Sequence, residues 1–224
     1  KYCLCFSYKW EYEDETHVVS QIDFPTAFKK DKHDDSRVMK ALWDLLDEAD
    51  IVIGHNVRKF DLKSINAFFI RNDMTAPSPY QTVDTLVLAR SNFGFNSNSL
   101  KDLAITLGLP VKKGSAGGFA TWLGCMDGDA GSWDQMIKYA KIDTELLPIL
   151  YKRLRPFCKG LPSLNFIDPH GCPVCDEGEN ALIRRGFRYT KVNRFQVWQC
   201  QSCMCYSSSR MSDLVAADKP VRVS

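Results

Sequence analysis

The stretch that decides the fold is Ile51-Val-Ile-Gly-His-Asn-Val-Arg-Lys-Phe-Asp61-Leu-Lys-Ser-Ile-Asn66. The β-branched run at its start is too short for a helix and is followed by the turn residues Gly54 to Asn56, which predicts a buried parallel strand. Apolar residues then recur at spacings of three and four from Leu62 to Phe69, which predicts a helix beginning near Asp61. The stretch is typical of an open α/β sheet.

The turn and the helix start bring Asn56, Phe60 and Asp61 to the carboxyl end of the strand. One interpretation makes them ligand-binding residues, because open α/β sheets bind ligands at that end. The other makes Asp61 a favourable charge at a helix N-terminus and Phe60 a core residue. The stretch alone leaves both interpretations open.

A second motif lies on a helix predicted between Trp133 and Leu154 by its apolar spacing. Tyr139 and Asp143 are four residues apart on it, so their side chains project from one face. The pattern Asn-x-x-x-Phe-Asp after a strand, followed about 80 residues later by Tyr-x-x-x-Asp on a helix, resembles the second and third motifs of the tyrosine-containing DEDD 3′ to 5′ exonucleases. The resemblance covers most of residues 1–156.

This resemblance implies an RNase H-like fold that hydrolyses the phosphodiester bonds of nucleic acid, with single-stranded DNA as the expected substrate in replication or repair. It implies that Asp61 and Asp143 ligate Mg²⁺ or Mn²⁺ in a two-ion site, and that Tyr139 orients the attacking water. Asn56 and Phe60 would shape the pocket for the terminal nucleotide.

The resemblance also requires two more carboxylates, in an Asp-x-Glu motif on an opening strand. The segment Asp23-Phe-Pro-Thr26 has Pro25 where glutamate belongs, and it follows the strands predicted at 2–10 and 17–22. The chain is therefore expected to begin about one strand late, as a truncated nuclease or as a remnant that binds without catalysis, and to be weakly active or inactive alone. Asp84 follows a later predicted strand, where we expect it to cap or position a helix.

Two Cys-x-x-Cys pairs near the C-terminus have the order of a two-knuckle zinc site. Four thiolates satisfy tetrahedral Zn²⁺ and leave no open position, so the predicted zinc is structural. A segment this short, with few large aliphatic residues, needs the metal in place of a core. The predicted ligands of this zinc ribbon, with His170 and Cys205 as lower-ranked spares, are Cys172, Cys175, Cys200 and Cys203.

The segment between the cysteine pairs interleaves cations with aromatic residues and contains no acidic residue from 184 to 198. Cations neutralise phosphates and aromatic faces stack on unpaired bases, so this composition suits single-stranded nucleic acid. A ribbon hairpin whose aromatic residues cover a small core, or a surface that docks a replication or repair protein such as a polymerase, remain alternatives. The candidate nucleic-acid contacts are Arg184, Arg185, Arg188, Arg194 and Trp198.

Composition fits these expectations. The chain has 224 residues, 45% of them hydrophobic, and a net charge of +2, so attraction to polyanions must come from local patches. It has no signal peptide pattern and no apolar run long enough to span a membrane, and cysteine pairs that suit a metal indicate a reducing, intracellular compartment. The predicted fold is α/β, a mixed RNase H-like sheet flanked by helices over residues 1–159, then a linker and zinc ribbon over residues 160–224.

Overall fold

Helices and strands alternate along the chain in the computed structural model, which describes residues 2–110, 117–163, 170–191 and 193–213. Residue contacts divide the chain into two units, Lys1–Tyr151 and Lys152–Ser224. This division falls within the last long helix, whereas the sequence predicts a boundary between residues 159 and 160. No described helix is both long enough and apolar enough to cross a membrane.

The first unit opens with an antiparallel hairpin formed by β1 (Cys5–Tyr8) and β2 (His17–Ser20). The ring of Tyr8 stacks on that of His17, its cross-strand partner, with 5.1 Å between the ring centroids. His17 also lies 3.1 Å from the carboxylate of Glu13 in the acidic turn. The two strands predicted at 2–10 and 17–22 are confirmed, and both are shorter than the sequence indicated.

The second strand pair is parallel. In it β3 (Ile51–Gly54) lies beside β4 (Gln81–Asp84), and Gly54 is opposite Asp84 at the carboxyl ends of the two strands. The described helices of this unit, the third of which begins at Asp61 as predicted, are α1 (Pro25–Lys30), α2 (Ser36–Glu48), α3 (Asp61–Arg71), α4 (Thr85–Asn92), α5 (Leu100–Thr106), α6 (Gly118–Asp127) and α7 (Ala130–Leu154).

The predicted single mixed sheet is not present in the described residues. Both strand orientations occur, but in two separate two-stranded sheets, β1–β2 and β3–β4. Phe6 of β1 and Val52 of β3 pack against the same core cluster, although the described residues contain no ladder of backbone hydrogen bonds joining their strands. The two sheets thus pack on the same hydrophobic core, although no backbone hydrogen bonds between strands join them in the described residues.

Helices α2 and α3 supply that core. Their apolar faces bury five residues, and the half-buried Ile65 and Trp43 pack around them. Asp35, before α2, makes no capping bond from its side chain; its buried carboxylate instead accepts a hydrogen bond from the backbone N–H of Cys3 at 2.5 Å. The five buried residues are Met39, Leu42, Leu46, Phe68 and Phe69.

The second unit contains a three-stranded antiparallel sheet of β5 (Leu182–Tyr189), β6 (Arg194–Cys200) and β7 (Tyr206–Ser208). A bulge interrupts the pairing of β5 with β6 between Arg184 and Phe187. Gly186 lies in this bulge with φ of 97°, a backbone conformation that residues with a Cβ rarely adopt. The sheet packs on a small cluster formed largely by cysteines and Val174.

Candidate functional site

The carboxylate of Asp84 ties together the two loops that follow β3 and β4. It accepts hydrogen bonds from the backbone N–H of Asn56 at 2.9 Å and of Arg58 at 3.1 Å, in the loop after β3. It also caps α4 by accepting from the N–H of Leu86 at 3.0 Å and of Val87 at 3.4 Å. The expected capping and positioning role of Asp84 is therefore present in the structure.

The loop after β3 is compact. A Cβ placed on Gly54 would lie 2.5 Å from the Cβ of Val57, so only glycine allows this close approach. Asn56 follows with φ of 64°, in the left-handed region that asparagine tolerates better than most residues. Phe60 is 60% exposed. The alternative that Phe60 is a core residue is therefore wrong, because its ring faces solvent beside Asp61.

His55 lies between the two strand ends and α7. Its Nε2 is 3.0 Å from the carbonyl oxygen of Asn98, which only accepts hydrogen bonds, so Nε2 carries a proton. Its Nδ1 is 2.9 Å from the hydroxyl of Thr85, which in turn donates to the carbonyl of Gly54. Burial lowers the pKa of His55, while the charges of Asp84 and Asp143 oppose that shift.

Tyr139 and Asp143 share one face of α7, as predicted, and the hydroxyl of Tyr139 donates a hydrogen bond to Asp143. Burial raises the pKa of Tyr139, so it remains an O–H donor near neutral pH. Burial also raises the pKa of Asp143, and the bond from Tyr139 and the charge of His55 offset part of the shift. On the adjoining turns, Ser7 of β1 donates to the carbonyl of Ala140 at 3.0 Å.

Asp61 faces the same region from the start of α3. Its carboxylate keeps contact with solvent, yet the surrounding protein displaces enough water to raise its pKa, and the charge of Asp84 raises it further. The charge of Asp84 therefore acts on Asp61 and on His55, and His55 and Asp143 act on each other. Asp61 and Asp143 are thus linked only indirectly, through Asp84 and His55 at the carboxyl ends of β3 and β4.

Sequence reasoning missed His55 as part of this site, because a histidine in a turn carries no motif of its own. The available signal was its position between a buried strand and Asn56. Two carboxylates alone do not complete a two-ion site. Outside the cysteines, the described residues contain no group of three or more close histidine, cysteine or acidic ligands, and the carboxylate of Asp84 is engaged by backbone N–H groups.

A family model for the RNase H superfamily matches residues 6–155, which include every element described above for this site. The chain belongs to the RNase H superfamily. Members of this superfamily are typically nucleases that use divalent metal ions, so the fold is of a nuclease type and implies binding of nucleic acid. Comparison with curated proteins and with solved structures found no match.

Beyond this RNase H superfamily domain, the four predicted cysteine ligands form one cluster. Their Sγ atoms all lie within 4.8 Å of one another. The closest pairs join the two knuckles, with 3.6 Å between the Sγ atoms of Cys172 and Cys203 and 3.6 Å between those of Cys175 and Cys200. Tetrahedral Zn–S bonds of about 2.3 Å require sulfur separations of about 3.8 Å, so the cluster fits zinc.

Neither of the two lower-ranked candidate ligands, His170 and Cys205, belongs to the four-cysteine cluster. His170 is exposed and lies outside the cluster, and Cys205 is buried beside it without joining it. Burial raises the pKa of Cys203 to about 12 and raises that of Cys175 as well. Zinc must displace these protons to bind four thiolates, so loading is expected to weaken in acid.

The cations between the cysteine pairs rest on aromatic rings of their own hairpin. The guanidinium of Arg184 lies 5.2 Å from the centre of the Trp198 ring. The guanidinium of Arg194 lies 4.4 Å from that of Phe187, while the Nε of Arg185 donates to the side chain of Gln199. The aromatic rings thus support the arginines, and the predicted contact residues form a cationic hairpin.

We expect Asp143→Asn to stabilise the protein at neutral pH. A raised pKa means that the folded state prefers the protonated acid, so ionisation of Asp143 reduces stability as the pH rises through its folded pKa. The melting temperature at pH 7 should rise by no more than about 3 °C, because solvent screens a half-exposed carboxylate. The difference should vanish below about pH 4, where the wild-type acid is protonated in both states.

Asp102→Asn is the matched control, since hydroxyl groups of Ser97 and Ser99 donate to Asp102 and lower its pKa. This variant should melt at or below the wild-type temperature at pH 7. If Asp143→Asn also lowers the melting temperature, its carboxylate is not held in an unfavourable environment.

Zinc content should depend on the four clustered cysteines. Cys200→Ser should release the metal and unfold the second unit, because structural zinc in such sites contributes about 10–16 kcal/mol of binding free energy. Cys158→Ser, at a half-buried thiol outside the cluster, should retain one equivalent of zinc by elemental analysis. Amide exchange of β5 and β6 reports the unfolding. One retained equivalent in Cys200→Ser would contradict the assignment.

Proposed function

We propose that this chain carries the site of a metal-dependent 3′ to 5′ exonuclease that hydrolyses single-stranded DNA in replication or repair. The observation that supports this most strongly is the hydrogen-bonded pair of Tyr139 and Asp143, within electrostatic reach of His55 at the end of β3. The nuclease-type superfamily is consistent with it. Exonuclease polarity and the DNA substrate rest on the resemblance of the two motifs.

In the proposed reaction, water attacks the terminal phosphorus and the bond to the neighbouring 3′ oxygen breaks, leaving a nucleoside 5′-monophosphate. Asp61 and Asp143 would hold Mg²⁺ or Mn²⁺, which stabilises the charge that develops on the leaving oxygen. Tyr139, protonated near neutral pH, can orient a water molecule through its oxygen while its O–H group donates to Asp143. The protonated Nε2 of His55 donates a hydrogen bond to the carbonyl oxygen of Asn98, which fixes the orientation of the imidazole ring.

Substrate binding is assigned to two regions. In the first unit, the exposed ring of Phe60 offers a face for a terminal base, and Asn56 lies at the start of the same loop. In the second unit, cations of the β5–β6 hairpin would neutralise phosphates of the strand. These contacts belong to Arg184, Arg185, Arg188, Arg194 and Trp198.

A second candidate is a nucleic-acid-binding or polymerase-docking module without efficient catalysis. The observation that favours it is the incomplete set of carboxylates among the described residues. A two-ion site holds its metals through several carboxylates, so Asp61 and Asp143 alone would bind them weakly. For the 224-residue chain by itself we therefore expect slow hydrolysis at most.

The deciding experiment uses single-stranded DNA labelled at its 5′ end, incubated with the zinc-loaded chain in Mg²⁺ or Mn²⁺. We expect a slow ladder of products shortened from the 3′ end, which requires the divalent ion and disappears in Asp143→Asn. Asp102→Asn should leave the ladder unchanged, because its carboxylate lies on the capped start of α5.

A ladder that survives Asp143→Asn would contradict the proposed site. Binding of the same DNA without any metal-dependent cleavage would instead support the second candidate. Loss of both binding and cleavage in the wild-type chain would contradict both.

A further inference from the structure

The second unit contains an open groove of about 1000 Å³ that the sequence did not reveal. Residues 155–163 after α7 and residues 205–211 at the end of the described chain form much of its lining. Residues between 170 and 179 and two residues each of β5 and β6 complete it. Most of these residues lie outside the cationic hairpin predicted from the sequence. The groove is therefore a distinct surface of this unit.

The rim of the groove is cationic. Lys159, Arg188 and Arg210 line it and are exposed, whereas Glu179 is the one acidic residue among the lining residues that the structure describes. The ion pairs found within the described ranges include none of these three cations. The guanidinium of Arg188 lies 5.0 Å from the centre of the Phe195 ring, which supports it and leaves its N–H edge for another partner.

The interior of the groove combines an apolar floor with aromatic rings and hydroxyl groups. Val174 and Val197 are buried or half-buried in the floor. Phe157 and Tyr206 line the groove while remaining 70% and 58% exposed. Exposed rings beside cations are the usual means of holding unpaired bases and their phosphates. The hydroxyl groups of the serines at 207–209 add groups of the kind that contact phosphates and sugars.

Only part of the predicted cationic hairpin belongs to the groove. On β6, Arg194 and Trp198 alternate with Phe195 and Val197, and cross-strand pairing places Arg184 opposite Trp198. Of the predicted contact residues, only Arg188 and Trp198 line the groove. Two further cations that line the groove, Lys159 and Arg210, lie outside the hairpin.

We propose that this groove is the path of single-stranded nucleic acid across the second unit, with Lys159, Arg188 and Arg210 on its phosphates and with Phe157 and Tyr206 against its bases. This assignment rests on the proposed function only in the choice of nucleic acid as the partner. An acidic protein segment would meet the same cations but has no bases for the exposed rings.

The test measures binding of fluorescent oligothymidine to the full zinc-loaded chain carrying Asp143→Asn, which prevents degradation of the probe. Lys159→Glu and Arg210→Glu should each weaken binding by about fivefold or more at 0.1 M salt. Each should also make the slope of log affinity against log salt less steep by about 0.7, because binding releases fewer counterions when one phosphate contact is lost. Tyr206→Leu should weaken binding without changing the slope, since stacking releases no counterions.

Arg153→Glu is the matched control, because it reverses an exposed charge in the same unit at a residue that does not line the groove. It should change affinity less than either groove variant, and all variants must retain zinc. Equal effects of Arg153→Glu and Lys159→Glu, or unchanged slopes, would overturn the proposal. So would competition by polyglutamate as strong as that by unlabelled oligothymidine, which would assign the groove to acidic proteins.

The same variants in the chain with an intact Asp143 separate this inference from the proposed function. Groove-dependent binding without cleavage would leave the groove assignment standing and remove the exonuclease. Cleavage that depends on Asp143 but not on Lys159 or Arg210 would support the exonuclease and contradict the groove assignment.

Discussion

The hydrogen bonds accepted by Asp84 are the interaction on which the site depends. One carboxylate joins the loop after β3 to the first turn of α4, and so fixes the carboxyl ends of both parallel strands with respect to each other. His55, Asn56 and Asp61 all lie on or just after the loop that it holds. This engagement has a cost, because a carboxylate committed to backbone N–H groups has fewer lone pairs for a metal ion.

Charge in this site is arranged against stability. Burial raises the pKa values of Asp61 and Asp143, and the charge of Asp84 raises that of Asp61 further. The ionised forms of both acids are therefore less favourable in the folded protein than in water. The neighbouring His55 and Tyr139 compensate only in part. Such an arrangement is typical of cation-binding sites, since a bound cation reverses the sign of the electrostatic energy. In the second unit, burial likewise raises the pKa values of clustered thiols such as Cys175 and Cys203, whose protons zinc would displace on binding.

Local patterns predicted the parts of this protein that depend on neighbours in sequence. The start of α3 at Asp61, the shared face of Tyr139 and Asp143, and the cysteine cluster all follow from spacing along the chain. Non-local pairing was harder to predict. The separation of β1–β2 from β3–β4 depends on how strands distant in sequence pack. The groove likewise assembles from segments that are separated in sequence, and the carboxylate of Asp35 accepts a hydrogen bond from the N–H of Cys3 near the start of the chain.

Asp61 and Asp143 are proposed to serve one shared cation site, and a titration with Mn²⁺ followed by NMR would detect such a site. Paramagnetic Mn²⁺ should broaden the side-chain amide of Asn56 and the ring of Tyr139 at the same concentration. Either Asp61→Asn or Asp143→Asn should reduce the broadening of both signals. Two separate sites would instead broaden the two signals at different Mn²⁺ concentrations, and each substitution would then affect only the signal on its own helix or loop.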